Sequence, residues 1–173
     1  VFVDGTINVS GEGVSEFVEA VNLPSGGIVT GVTGKATTTL SGGSVTVKGD
    51  LSHGIVSAAQ ESEITVENGA IVRVSGTGSA GIALGLDRDV FITGISLPST
   101  NTITLEAGTS VTSVNGVGIF DDGRTDSTTR VRNDTSVILA GTLMGGNGIA
   151  IDFGAGEDRL TMSNTATVGG SVD

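Results

Sequence analysis

The sequence predicts an all-β chain wound as a parallel β-helix of about five to six turns. Three observations carry this expectation. A Gly-Ile pair recurs at Gly27-Ile28, Gly54-Ile55, Gly81-Ile82, Gly118-Ile119 and Gly148-Ile149. An apolar residue followed six positions later by Val recurs at Val3/Val9, Val66/Val72, Leu105/Val111, Val131/Val137 and Met162/Val168, with Leu40/Val45 one residue shorter. Between these anchors run short segments that alternate apolar residues with Thr or Ser, as in Ser44-Val45-Thr46-Val47, which is the period of a half-buried strand. A recurrence of about 26 residues marks a stacked repeat, since one such unit cannot bury its own apolar face.

Taken in order, the elements are as follows. The chain enters within a strand at Val1-Phe2-Val3 and turns at Asp4-Gly5-Thr6. An insertion follows Val9, and within it Ser15–Val21 reads as a short helix. Ser15 is placed as N-cap, Glu16 lies in the first turn, and Phe17 and Val21 share a face. Three units then follow in register, with corners such as Glu67-Asn68-Gly69-Ala70 and Glu106-Ala107-Gly108-Thr109. Gly and Asn suit such corners because they tolerate positive φ. A second insertion follows Ile82 and includes Leu86–Asn101. Residues 1–173 form one segment without an internal boundary. Both ends fall in or beside strands and lack polar caps, so the native chain is expected to continue from them or the ends to meet another copy. An immunoglobulin-type sandwich would explain short strands but not the recurring Gly-Ile pair, and its core would lack Trp, Tyr and Cys.

Composition removes other classes. Gly accounts for 29 of 173 residues and Pro for 2, while aromatics reach only 3%. Thr, Val and Gly are poor helix formers, so a helical bundle is excluded. Gly has no period of three, so collagen is excluded. No apolar run approaches the length of a membrane-spanning helix. Cys is absent, so neither disulfides nor thiolate metal sites are available. The net charge of −11 argues against nucleic acid and against direct binding to anionic lipid.

Ile64-Thr65-Val66-Glu67-Asn68-Gly69-Ala70, Ile103-Thr104-Leu105-Glu106-Ala107-Gly108-Thr109 and Gly146-Asn147-Gly148-Ile149-Ala150-Ile151-Asp152 resemble the passenger repeats of bacterial autotransporters (type V secretion). The resemblance is clearest from Leu40 to Asp173 and implies a right-handed β-helix. It further implies a fragment of a longer passenger domain, secreted or displayed on the bacterial surface, with the native chain running on into an outer-membrane translocator barrel. An adhesin or host-receptor ligand follows as the function. Its partner would be a host-cell surface protein, matrix component or glycan, or another copy through self-association. No enzyme activity and no cofactor are expected.

Charged residues follow the Gly-Ile pairs in neighbouring turns. Asp87, Arg88 and Asp89, then Asp121, Asp122, Arg124 and Asp126, are expected on one exposed edge, which together with the Leu86–Asn101 insertion forms the candidate binding surface. Asp152, Glu157, Asp158 and Arg159 lie in the next turn. Gly154-Ala155-Gly156-Glu157-Asp158-Arg159-Leu160 resembles one copy of the calcium-binding nonapeptide repeat. That makes Asp158 a weak metal candidate, because such sites need tandem copies. Polygalacturonases show a superficial likeness at Asp121-Asp122 and Ser52-His53-Gly54. The order of the two elements is reversed here and the Arg-Ile-Lys element is missing. His53, the sole histidine, reads as an exposed loop residue, and Lys35 and Lys48 as solvated faces.

Overall fold

The structure is a computed structural model. It describes residues 2–3, 6–10, 25–30, 34–85, 99–122, 124–125 and 130–173, with side-chain surroundings defined for 27–30, 34–85, 99–122 and 132–173. The described residues are all-β with no helix. The expected helix at Ser15–Val21 and the stretch Leu86–Pro98 lie outside them.

The strands come in sets of three. The first set is β1 (Phe2–Val3), β2 (Thr6–Ser10) and β3 (Ser25–Thr30). The second is β4 (Lys35–Ser41), β5 (Ser44–Lys48) and β6 (Ser52–Ser57). The third is β7 (Glu61–Glu67), β8 (Ile71–Val74) and β9 (Ala80–Leu84), and the fourth is β10 (Ser99–Leu105), β11 (Ser110–Ser113) and β12 (Val117–Asp121). From β1 to β9 every strand pairs in parallel with the strand three places on. A small antiparallel hairpin then intervenes, β13 (Arg124–Thr125) with β14 (Arg130–Val131). The parallel order resumes with β15 (Asn133–Leu139) and the long β16 (Thr142–Asp152), and ends with β17 (Arg159–Met162) and β18 (Thr167–Val172). One six-stranded sheet runs β1-β4-β7-β10-β15-β17. In the ten-stranded sheet β16 joins two rows, since its start pairs with β11 and its end with β12.

Register places like residue against like. Leu40, Val66, Leu105 and Leu139 are consecutive partners, each fully buried. So are Val45, Val72, Val111 and Leu143. A third column joins Ile28, Ile55, Ile82, Ile119 and Ile151. Strands about 4.8 Å apart bring these branched side chains into direct contact, and each one buried contributes roughly 1.5–3 kcal/mol. The core is therefore one continuous apolar cluster from Ile28 to Phe153, with Leu160, Ala166 and Val168 packed on its last layer.

Three expected anchors move. The first is Val9: Ile7 pairs with Val45 and so heads that column, while Val9 pairs with Val47. The fifth Ile of the column is Ile151, not Ile149, and Gly148 takes a left-handed φ of 97° at a corner instead. Val131 lies in the antiparallel hairpin, so it is Leu139 and Leu143 that continue the two apolar columns. The hairpin is a third insertion, between Asp121 and Asn133, which the spacing of anchors concealed.

Candidate functional site

The row formed by β3, β6, β9 and β12 differs from the other two. Every residue of β6 and of β9 is buried, on both faces. Beside the Ile column, Val56, Ala80 and Ala83 form a second apolar cluster with Phe120 packed on it. Gly27, Gly54, Gly81 and Gly118, the glycines of the first four Gly-Ile pairs, bring this row close to its neighbour. A Cβ on Gly54 would lie 2.5 Å from Val72 Cγ1 and 2.5 Å from the Gly81 carbonyl oxygen. One on Gly118 would lie 2.9 Å from Leu143 Cδ1.

A groove of about 320 Å3 opens beside this cluster, between Leu51, Ala80, Val117 and Phe120 on its apolar side and Asn115 and Asn147 on its polar side. His53 belongs to its wall. The expectation of an exposed loop residue fails: His53 lies in β6 and is only 8% exposed. Its Nδ1 accepts the backbone N–H of Ala80 at 3.0 Å, so the neutral ring carries its proton on Nε2. Burial pulls its pKa down to about 4. Leu51, at the rim, holds a left-handed φ of 54°, a conformation that costs a branched residue roughly 1–2 kcal/mol. Each flanking amide uses one half internally. Asn115 Nδ2 donates to the Ser75 carbonyl at 3.0 Å, and Asn147 Oδ1 accepts the Ile149 N–H at 3.1 Å.

The acidic edge read from the sequence does not assemble as expected. Asp87, Arg88, Asp89 and Asp126 lie outside the described residues. Arg124 lies in the hairpin strand β13, where only its backbone is described. Asp122 is half-buried. Asp121 is not at a surface at all, being 1% exposed. It accepts Asn133 Nδ2 at 2.5 Å and the Thr135 hydroxyl. Asn133 Oδ1 in turn takes the Ser99 hydroxyl at 2.6 Å, and Asn101 Nδ2 reaches both Ser99 Oγ and Thr135 Oγ1. A carboxylate is buried at tolerable cost only when hydrogen-bonded, and this polar ladder supplies the donors. Asp121 is thus committed to holding β12 against β15.

Asp158 serves a similar end. Its carboxylate accepts the Thr135 N–H at 2.9 Å, while Asp134 Oδ1 accepts the Glu157 N–H at 2.9 Å. Burial pushes the Asp158 pKa up, the Thr135 N–H opposes that, and Asp134 adds to it. No group of three or more metal-ligating side chains occurs among the described residues. Lys35 is a solvated residue, as expected, and bridges Glu61 at 3.0 Å and Glu63 at 3.2 Å. Those hydrogen bonds raise its pKa.

No family model, curated protein or solved structure matches this chain. The groove residues Leu51, Asn115, Phe120 and Asn147 were not singled out in the sequence. The available signals were weak: an aromatic residue in a chain with five, and a Leu directly after the Gly49-Asp50 turn.

Proposed function

We propose that the chain is a right-handed parallel β-helix that works as a binding scaffold, in the manner of the autotransporter passengers its repeats resemble. The observation that carries the β-helix is the register. Ile28, Ile55, Ile82, Ile119 and Ile151 succeed one another in one column, and β1 to β12 pair strictly three apart. Right-handedness follows from the strong preference of parallel crossover connections. Such a stack is a stiff body that presents its corners and outer faces without rearrangement. Binding on a rigid frame avoids most of the ordering cost that weakens flexible ligands.

On this reading the protein acts outside the bacterial cell, secreted or displayed on its surface. It acts as an adhesin or receptor ligand for a host-cell surface protein, matrix component or glycan. The polar groups nearest to a catalytic constellation are already spent: Asp121 on Asn133 and Thr135, and the His53 Nδ1 on Ala80. This favours recognition over chemistry.

The test is direct. Fluorescently labelled protein is applied to epithelial monolayers and to immobilised matrix proteins, with sedimentation velocity run in parallel. Saturable binding by a monomer supports the reading. Concentration-dependent assembly without cell or matrix binding replaces it with a self-associating rod. Turnover of an acidic polysaccharide replaces it with an enzyme.

A further inference from the structure

We infer that the groove between Leu51, Phe120, Asn115 and Asn147 is an anchor site for a peptide segment, taking one apolar side chain together with its adjoining peptide group. This deepens the binding reading above and rests on it for the partner's being a protein.

Three observations carry the inference. The first is a buried donor with nothing to bind. His53 is 8% exposed and lines the groove, and its Nδ1 is occupied by Ala80. That leaves the Nε2–H as a donor with no partner among the described residues. A buried donor left unmatched is costly, and a carbonyl oxygen entering the groove would satisfy it. The second is the lining. Leu51, Ala80 and Phe120 make an apolar wall, and the volume of about 320 Å3 is roughly twice that of a cavity that accepts benzene. One Leu- or Phe-sized side chain fits this space. The third is the rim. Asn115 keeps its Oδ1 and Asn147 keeps its Nδ2, one acceptor and one donor, the two functions that a peptide N–H and C=O require. A hydrocarbon would use the wall but neither amide, and a fatty-acid carboxylate could accept from the Asn147 Nδ2 but would leave the Asn115 Oδ1 unmatched. A carboxylate ligand would also meet the field of a chain with net charge −11.

The strained backbone at Leu51 supplies a variant that keeps the fold. Leu51→Gly relaxes the φ of 54° while removing the exposed half of the wall. The probe is N-acetyl-leucinamide, with N-acetylglycinamide as the peptide group lacking a side chain. Binding is read by NMR from the ring protons of His53, unambiguous because the chain has one His, and from the amide signals of Ala80 and Phe120. The expected result is saturable movement of these signals in the 1–10 mM range, a scale on the order of that of a single anchor. N-acetylglycinamide and the Leu51→Gly protein should each bind at least about fivefold more weakly. No movement up to about 100 mM overturns the inference. So does equal binding of the two amides, or binding that Leu51→Gly leaves unchanged. Cell or matrix adhesion without probe binding overturns the groove alone. Probe binding with no adhesion sustains the groove and overturns the adhesin reading.

Discussion

Gly54 lacks the one atom that Val72 would displace. A Cβ there would come within 2.5 Å of Val72 Cγ1, 3.2 Å of Val74 Cγ2 and 2.5 Å of the Gly81 carbonyl oxygen. Real Cβ atoms do not sit so close to either kind of neighbour, so the glycine is required by approach and not by φ. Gly54→Ala should therefore destabilise the chain by about 1–3 kcal/mol, the usual cost of overpacking. Adding Val72→Ala removes one clash and leaves the carbonyl, so the double variant should stay below wild type. Urea unfolding midpoints measure both. A Gly54→Ala protein as stable as wild type would mean that the two rows are not held at this distance.

The depressed pKa of His53 makes a signed prediction about pH. The ring is about 4 when folded against 6.5 as its ordinary value, so the unfolded chain binds this proton first. Stability is thus lost as pH falls from about 6.5 to about 4, and His53 contributes no further loss below that. The gap corresponds to roughly 3 kcal/mol. His53→Gln keeps an acceptor for the Ala80 N–H and cannot titrate. Its stability curve should be flatter over that window. Identical pH slopes for the two proteins, measured by chemical denaturation at pH 7, 5.5 and 4.5, would show that the ring is freely protonated in the folded state.

Asp121 should behave as a structural residue. Asp121→Ala strands the Asn133 Nδ2 and the Thr135 hydroxyl, both in residues 1% exposed, and should cost about 2–4 kcal/mol. Loss of partner binding in such a variant would report the fold and not a contact surface. The check is thermal unfolding beside the binding assay. A variant with unchanged Tm and lost binding would return Asp121 to the role of a surface ligand.

The legibility of the fold and that of the site differ for a physical reason. The parallel stack was legible because it imposes the same demand at every level: a branched residue inside, Thr or Ser outside, and a glycine where two rows approach. Val66, Val72 and Leu105, Val111 were placed correctly from that pattern, and their partners are the ones expected. The site was not legible, because a groove between corners depends on where single side chains from three repeats converge. Leu51, Asn115 and Asn147 stand four residues before Ile55, Ile119 and Ile151, but that shared position shows only once the column is known to pass through Ile151, and Phe120 comes from a different position. Asp121 misled for the opposite reason. A carboxylate beside Asp122 and Arg124 reads as a solvated edge, and only contact with Asn133 and Thr135, 12 and 14 residues on, explains its burial.

The displaced fifth anchor gives the sharpest test of register. Gly148-Ile149 copies the motif by eye, yet the column passes through Ile151. The correct signal lay in the preceding anchor: Val111 precedes Ile119 by as many residues as Leu143 precedes Ile151, and both pairs are aligned by β11 and β12 against β16. Ile151 is fully buried, whereas Ile149 is partly open and pairs with Ser171. Ile151→Ala should accordingly cost about 2–5 kcal/mol through the lost contacts and the cavity left behind. Ile149→Ala should cost about 1 kcal/mol or less, since part of its surface already meets water. Guanidinium unfolding of the two variants compares them directly. If Ile149→Ala proved the more damaging, the Gly-Ile motif would be the true anchor and β16 would have to shift by two residues against β12.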